Sequence, residues 1–319
     1  NIPPHNLGEI CDAIVYLADN PEATIDDLMR FVPGPDFPTG GLMLGREEVR
    51  RAYATGHGKI VIQAKLHLEE AKSGRQRLIV TELPYQVNKA TLAERIAKLI
   101  GEKRIGGIAE LRDESDREGM RIVIELKKDV HANQVLNNLY KHTAMRSAFF
   151  ANMLALVDGE PKVLTLREFL QHYIKFRTEV ITRRSKFELR QAQQRAHILE
   201  GLRIALDNLD QVIATIRRAQ TAEVAHKELM RKFALSKVQA QAILDMQLRR
   251  LAALERKKIM DEYTELLKTI TYLEDLLGNP RKILFLIKEE ASDLKSKYGD
   301  PRRTQFSEHE VVEFRDEDL

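Results

Sequence analysis

Hydrophobic positions follow two different spacings along the 319-residue chain. The first half contains two kinds of run in turn. In one kind, apolar and polar residues alternate, which is typical of strands; in the other, apolar residues recur at helical spacing. From Thr165 onward the helical spacing persists, and no further proline occurs until Pro280. The pattern predicts an α+β domain over residues 1–164, followed by an all-α region.

Turn-forming and capping residues separate the elements predicted for the α+β domain. These elements are a helix over 6–17, strands over 59–68 and 77–82, a helix behind a capping box at Thr91–Glu94, a strand over 120–126, a helix over 132–140 and a hairpin that turns at Asp158-Gly159. The Asp-Gly pair is a strong hairpin signal, because both residues tolerate the positive φ that a tight turn requires.

The all-α region is predicted to form a long antiparallel arm. A capping box at Thr165–Glu168 begins an outgoing helix over 165–206, roughly 60 Å long at about 1.5 Å per residue. Return helices are predicted over 252–298, with a new start at Asn279-Pro280. In the return path a heptad spacing, which lets one helix lie along another, is formed by Ile259, Tyr263, Leu266, Ile270, Leu273 and Leu277. The two paths are similar in length, which favours an antiparallel coiled coil.

Residues 207–251, between the two paths, are predicted to form a small helical globule. A globule at the end of an arm has few core partners in its own chain, so a two-fold dimer would bury its apolar face. The predicted interface lies on its last helix and comprises Gln239, Gln241, Ala242, Ile243, Leu244, Met246 and Gln247. A self-contained three-helix cap is the alternative. Residues 299–319 are predicted to be an acidic tail or linker.

Charge is nearly balanced over the whole chain but not along it. The chain has 51 basic and 48 acidic residues, a net charge of +3. Ten Lys/Arg stand against five Asp/Glu between Lys59 and Arg104, and eight against three between Arg167 and Arg195. Local excesses of this size can neutralise phosphates, and Lys65 joins Lys59 as a candidate for that role. Solvated helix faces are the alternative explanation.

Residue types argue against catalysis or metal binding within this chain. The nine histidines include no His-x-x-x-His pair, and the single cysteine, Cys11, allows neither a Cys-x-x-Cys motif nor an internal disulfide. Gly56–Lys59 lacks the spacing of a phosphate-binding loop, and Asp316–Asp318 has no flanking strand. We therefore predict no catalytic residue and no metal site. Cysteine usage and short apolar runs indicate a cytoplasmic protein with no membrane span.

The segment Glu82–Lys89 is the strongest candidate for a binding site. Proline fixes its own φ and restricts the residue before it, so Leu83-Pro84 forms a rigid corner at the end of a strand. An apolar side chain at such a corner can enter between base pairs and kink a duplex, while Asn88 and Lys89 hold the backbone. A buried leucine at the end of a strand is the alternative.

Six sequence blocks, in the same order and over nearly the whole chain, resemble the breakage-reunion subunit of bacterial type IIA topoisomerases. They are Asn1–Asn6, Pro33–Thr39, Leu83–Ala90, Arg112–Asp116, Arg195–Leu202 and Gln239–Leu244. The Pro84–Asn88 block is more similar to the gyrase branch of this family than to the topoisomerase IV branch. The first domain resembles the family's tower domain, and the arm and globule resemble its coiled coil and C-gate.

The resemblance implies that the tower domain binds and bends double-stranded DNA. Leu83 occupies the position assigned to the wedge, which is the apolar residue that enters between base pairs and bends the duplex. The family more often has isoleucine at this position. The residues expected to contact DNA are Leu83, Pro84, Gln86, Asn88, Lys89, Lys59 and Lys65. The globule is expected to join two copies of the chain as a homodimer and to form the exit gate.

The resemblance further implies an ATP-dependent reaction in which the intact complex cleaves, passes and religates duplex DNA. ATP and Mg²⁺ are expected to belong to the partner, the B subunit of gyrase, in an A2B2 complex. The family's active-site tyrosine lies in a winged-helix domain that precedes the Asn1 block, so a chain that opens at Asn1 is expected to be a non-catalytic fragment. The alternatives are the same segment of the A subunit of topoisomerase IV, a non-enzymatic coiled-coil scaffold and a general DNA-bending protein.

Overall fold

The computed structural model of the chain describes residues 1–70, 74–247 and 253–307. The end of the predicted globule, at 248–251, and the acidic residues 308–319, including Asp316–Asp318, lie outside the described residues. The chain divides into two compact units. The first comprises residues 1–174 and those described after 287, and the second comprises residues 175–287.

The first unit combines helices with two four-stranded sheets and a hairpin. Its helices are α1 (Leu7–Asp19), α2 (Ile25–Met29), α3 (Arg46–Thr55), α4 (Lys89–Gly101) and α5 (Ala132–His142). Its strands are β1 (Leu42–Leu44), β2 (His57–Gln63), β3 (Lys65–Glu70), β4 (Gln76–Glu82), β5 (Ile108–Asp113), β6 (Ile122–Leu126), β7 (Arg146–Asn152), β8 (Leu154–Val157), β9 (Glu160–Val163) and β10 (Gln305–Phe306). The mixed α/β character predicted for this part of the chain is confirmed.

The two sheets meet at a break that the sequence pattern did not predict. Sheet A has the strand order β10-β1-β2-β7, and sheet B has the order β3-β4-β6-β5. The single strand predicted over 59–68 is therefore wrong, because β2 pairs with β7 whereas β3 pairs with β4. Ala64 separates them and donates its N–H to the carbonyl of Met145 at 2.7 Å. Strand β7 follows Met145, so this bond lies where the chain leaves sheet A for sheet B.

One hydrophobic cluster packs α4 and α5 against sheet B. Its buried members include Leu78, Val80, Leu83, Leu92, Ile96, Leu99, Ile122, Ile124, Val135 and Leu139. The strand residues alternate along β4 and β6, and the helix residues recur at helical spacing, so each element presents one apolar face to the same core. Leu83 belongs to this core.

Two predicted turn or capping positions are confirmed and one is wrong. The hairpin of β8 and β9 turns at Asp158 and Gly159, whose φ values are 53° and 85°. The Thr165 capping box is formed, since its hydroxyl accepts from the N–H of Glu168. The box predicted at Thr91 is not, because α4 begins earlier and Asn88 accepts from the N–H of Thr91 at 3.0 Å.

Residues 300–307, assigned from sequence to a tail, are instead an integral part of the first unit. Strand β10 pairs with β1 in parallel. Thr304 is completely buried, and its hydroxyl accepts from the N–H of Phe37 at 2.7 Å. Arg302 makes two bonds to Glu9 at 2.7 Å. Arg302 and Thr304 therefore hold this segment against the rest of the first unit by hydrogen bonds. The charge pattern from which the tail was predicted does not reveal such bonds.

The second unit is helical throughout its described residues. It contains most of α6 (Leu166–Asp207), followed by α7 (Leu209–Arg218), α8 (Ala222–Phe233), α9 (Lys237–Leu244), α10 (Ala253–Gly278) and the start of α11 (Pro280–Tyr298). Arg195 on α6 bonds Glu262 on α10 at 2.7 Å, and Gln193 bonds Glu274 at 3.2 Å. Ile259 and Leu273 of the predicted heptad seam are buried, and its other four positions are partly buried.

None of the described helices combines the length and the apolar character that crossing a membrane requires.

Candidate nucleic-acid interface

The structure corrects the wedge role predicted for Leu83. Its side chain is only 4% exposed and belongs to the core between sheet B and the α4–α5 pair. Pro84 is also buried. Inserting Leu83 into a duplex would first remove it from this core, at a cost of about 1.5–3 kcal/mol. The rigid corner is present, but it directs the leucine inward, as in the alternative interpretation.

The loop after this corner is held by aromatic contacts and presents Gln86 to solvent. The ring of Tyr85 lies 5.5 Å from that of Phe37 and 6.3 Å from that of Phe149. Gln86 is exposed and has a φ of 67°, a left-handed conformation that is uncommon for a residue with a side chain. Such a conformation persists only where the surroundings impose it. Here the ring cluster and the start of α4 fix both sides of Gln86.

Asn88 and Lys89 already have partners within the chain. The Asn88 carboxamide oxygen caps α4, and the Lys89 ammonium lies 2.7 Å from Asp113. The ion pair with Lys89, together with bonds from Ser115, lowers the pKa of Asp113 to about 2. A phosphate contact by either residue would compete with these bonds.

The two lysines predicted from the charge distribution differ in their surroundings. Lys65 is partly buried, with its ammonium 3.4 Å from Glu82. That carboxylate also accepts from the N–H of Gly41 at 2.6 Å. Lys59 is exposed and forms no ion pair with any residue that the structure describes. Among the predicted DNA contacts, Gln86, Asn88 and Lys59 are exposed, and of these Asn88 already caps α4.

Sequence reasoning missed an exposed aromatic residue directly opposite Lys59. Lys59 on β2 faces Phe150 on β7 in the antiparallel register, so both side chains lie on the same face of sheet A. Phe150 is 64% exposed. The Phe149-Phe150 pair could have signalled this, because successive residues of a strand point to opposite faces. With Phe149 in the aromatic cluster, Phe150 must point away from it.

Phe150 and Lys59 border a shallow recess together with His57 and Arg51, and we call these four residues the Phe150 patch. The recess has a volume of about 380 Å³. Glu48 also lines it, and its carboxylate lies 3.7 Å from the Arg51 guanidinium. The recess therefore places one large apolar ring beside the three basic side chains of the patch and the acidic Glu48.

The predicted dimer interface is partly interior in the structure. Gln239 is 4% exposed and Ile243 is 3% exposed, so neither is available to a second copy. The Gln239 amide donates to the carbonyl of His197 at 2.7 Å. The Gln239 side chain also packs against Gly201, because a Cβ added to Gly201 would lie 2.6 Å from the Gln239 Cβ. The predicted roles of Gln239 and Ile243 are corrected to core packing.

The other predicted interface residues remain accessible. Gln241 and Gln247 are exposed, while Ala242, Leu244 and Met246 are partly buried against the helical core. The sequence prediction also missed Val238, an apolar residue on α9 that is 56% exposed.

The described residues contain no group of three or more His, Cys, Asp or Glu side chains that could hold a metal ion. Burial raises the pKa of both Tyr53 and Tyr140. A raised pKa disfavours the phenolate, which is the opposite of what a tyrosine nucleophile requires.

Comparison with known sequences assigns the chain to a family. The sequence profile that describes the A subunit of DNA gyrase and topoisomerase IV matches residues 1–292. The chain therefore belongs to the family of DNA gyrase and topoisomerase IV A subunits.

Individual relatives are similar along the whole chain. A protein named as the A subunit of DNA gyrase, from Dehalogenimonas lykanthroporepellens, is 62% identical over 321 residues, covering 100% of this chain and 39% of the relative. Proteins of the same name from Clostridium acetobutylicum and Halalkalibacterium halodurans are 58% and 56% identical, covering 95% and 100% of this chain and 37% and 38% of the relatives. The chain thus spans about two fifths of the length of these relatives.

Proposed function

We propose that this chain is the DNA-bending and exit-gate part of the A subunit of a DNA gyrase. The observation that carries the proposal is the 62% identity, along all of this chain, to a protein named as the A subunit of DNA gyrase. The family profile spans both gyrase and topoisomerase IV. The names of the similar relatives favour the gyrase branch.

In the proposed role, the first unit binds a double-stranded DNA segment. Support comes from exposed polar and basic groups on this unit, among them Lys59 and Gln86. Cations on such a surface displace counterions from DNA, so the affinity falls as salt rises. Lys65 and Lys89, each close to a carboxylate, contribute less to this electrostatic attraction.

The second unit is proposed to be an antiparallel coiled-coil arm that carries a dimerisation globule. The burial of the heptad seam of α10 and the α6–α10 bonds support the arm. The exposed Val238 and Gln241 on α9 support a contact with a second copy. Two such contacts related by a two-fold axis would form a gate that can open and close.

In the intact complex we propose tyrosyl cleavage of both strands, passage of a second duplex and religation. We propose that the tyrosine lies outside this chain, which spans about two fifths of the length of its relatives. ATP and Mg²⁺ would act through the gyrase B subunit, in a cytoplasmic A2B2 complex. This chain would then bind DNA without cleaving it.

A binding titration tests the DNA-binding proposal. The chain is titrated into a fluorescein-labelled duplex at several salt concentrations, and anisotropy reports the association constant. We expect binding that weakens with salt, with a slope lowered by about 1 for Lys59→Ala and by less for the matched Lys65→Ala. Failure of the parent chain to bind at low salt, or strand cleavage by the chain alone, would refute the proposal.

A further inference from the structure

We propose that the Phe150 patch makes a mixed apolar and cationic contact with double-stranded DNA, in which the ring packs on sugar or base edges and the basic groups contact flanking phosphates. The inference rests on the proposed function and deepens it, because it names a contact residue that the sequence motifs did not contain.

The position of Phe150 is fixed by its neighbours. Phe149 packs 5.5 Å from the ring of Phe37, which is fully buried. Strand alternation then requires the Phe150 ring to point to the opposite face of sheet A. Strand β7 pairs with β2 through all seven of its residues, so the backbone under Phe150 is ordered. The ring is thus displayed on a rigid support, which reduces the entropy lost on binding.

The basic residues of the patch converge on the ring from two elements. Lys59 stands directly opposite Phe150 in the register. His57 is two positions earlier on β2, so it lies on the same face, and Arg51 reaches the recess from α3. Glu48 offsets part of the Arg51 charge, but neither Lys59 nor His57 has a carboxylate partner among the described residues.

The chemistry of the recess favours DNA over a protein partner. Protein-docking surfaces gather several large apolar side chains at their centre. Here Phe150 is the only large apolar side chain among the described residues that line the recess, and the others are small, polar or charged. A lone ring beside Lys59 and Arg51 matches a polyanion whose sugars and base edges offer apolar area between phosphates.

The two components of the contact respond differently to salt, which provides the test. The full chain is titrated into a labelled duplex over a series of salt concentrations. Phe150→Ala removes no charge, so we expect the association constant to fall about tenfold at every salt concentration with an unchanged slope. Lys59→Ala is expected to lower the slope by about 1. Phe150→Leu, which keeps an apolar side chain, is expected to retain most of the affinity.

A matched control comes from the hairpin of the same unit. Leu156 is 75% exposed and does not line the recess, so Leu156→Ala is expected to leave binding unchanged. Circular dichroism verifies that each variant is folded.

Equal affinity of Phe150→Ala and the parent would overturn the inference, as would an equal loss in Leu156→Ala. A change in self-association of Phe150→Ala with unchanged DNA affinity would assign the patch to a second copy and also overturn it. If the parent chain itself fails to bind, the proposed function and the inference both fail.

Discussion

Arg302 shows how much of the first unit depends on single side chains. Its guanidinium bonds both carboxylate oxygens of Glu9 and donates to the carbonyls of Gly34 and Pro35. The two charged side chains are each 19% exposed, so water can replace few of these bonds. The arrangement joins the C-terminal strand segment to α1 and to the loop before β1.

We therefore expect Arg302→Ala to lower the free energy of unfolding by about 2–3 kcal/mol, because Glu9 and two carbonyls lose their partner while still partly buried. Urea denaturation measures this change. The neighbouring Arg303 provides the control, since it is 56% exposed and pairs with Asp300 at the surface. Arg303→Ala should cost less than about 1 kcal/mol. Equal losses in the two variants would contradict the role assigned to Arg302.

His5 couples stability to pH. Burial lowers its pKa from 6.5 to about 4, and the backbone of Pro3 accepts a hydrogen bond from the ring. The remaining ring nitrogen, Nε2, lies 2.7 Å from the Tyr53 hydroxyl and can accept its proton. The Tyr53 bond suits the neutral ring, whereas the Pro3 bond raises the pKa of His5 and offsets part of the effect of burial.

Between pH 6.5 and 4 the His5 ring is protonated in the unfolded chain but neutral in the folded one, so protons favour unfolding. The contribution of His5 to the free energy of unfolding is therefore complete above pH 6.5 and is lost as the pH falls toward 4. The loss should be on the order of 3 kcal/mol. Urea denaturation across this range should give a shallower pH dependence for His5→Gln than for the parent chain. Parallel curves for the two proteins would show that His5 is not the group responsible.

At the residue scale, the sequence pattern predicted which segments bind but could not predict the direction in which their side chains point. Leu83, Gln239 and Ile243 are all in the segments predicted, yet all are buried. Apolar character at a strand end or on a helix is equally compatible with a core and with an interface. Whether such a residue is buried or exposed depends on the packing of elements distant in sequence, such as α6 against Gln239. The spacing of residues along one segment carries no information about that packing.

At the element scale, the order and type of most helices and strands followed from periodicity, while their ends depended on which of several capping residues was used. Residues 88–94 offer two starts for α4. Thr91–Glu94 has the capping-box spacing, but Asn88, three residues earlier, also favours an N-cap. In the structure the Asn88 side chain accepts from the Thr91 N–H, so the helix begins at the earlier position.

The choice of cap for α4 is testable. Asn88→Ala removes the side-chain acceptor for the Thr91 N–H and should lower the free energy of unfolding by about 1 kcal/mol. Thr91→Ala keeps that backbone bond and loses only a 3.3 Å hydroxyl contact, so its effect should stay below about 0.5 kcal/mol. Thermal or urea denaturation compares the two. The reverse order would restore Thr91 as the cap.

Pairing between distant segments was the part of the fold that sequence could not provide. Strand β10 is only two residues long and pairs with β1, more than 250 positions earlier in the chain. No period can be recognised in so short a strand, and its charged neighbours suggested a tail. The same reasoning explains the break at Ala64, where a continuous run of strand-like residues is divided by the partners available on each side.

At the scale of the whole molecule, the proposed gate predicts that the chain self-associates through α9. Val238 is 56% exposed and is not part of the helical core, so Val238→Glu should preserve the fold while placing a charge in the contact. We expect sedimentation equilibrium to show a dimer for the parent chain and an association at least about tenfold weaker for Val238→Glu. Leu244→Glu should also weaken the association, but Leu244 packs against the core, so circular dichroism must verify that this variant is folded.

The matched control is Val224→Glu, since Val224 is 44% exposed on α8 and lies outside the predicted contact. Dimerisation of this variant should equal that of the parent chain. A parent chain that is monomeric at every concentration, or equal weakening by Val224→Glu, would remove α9 from the gate.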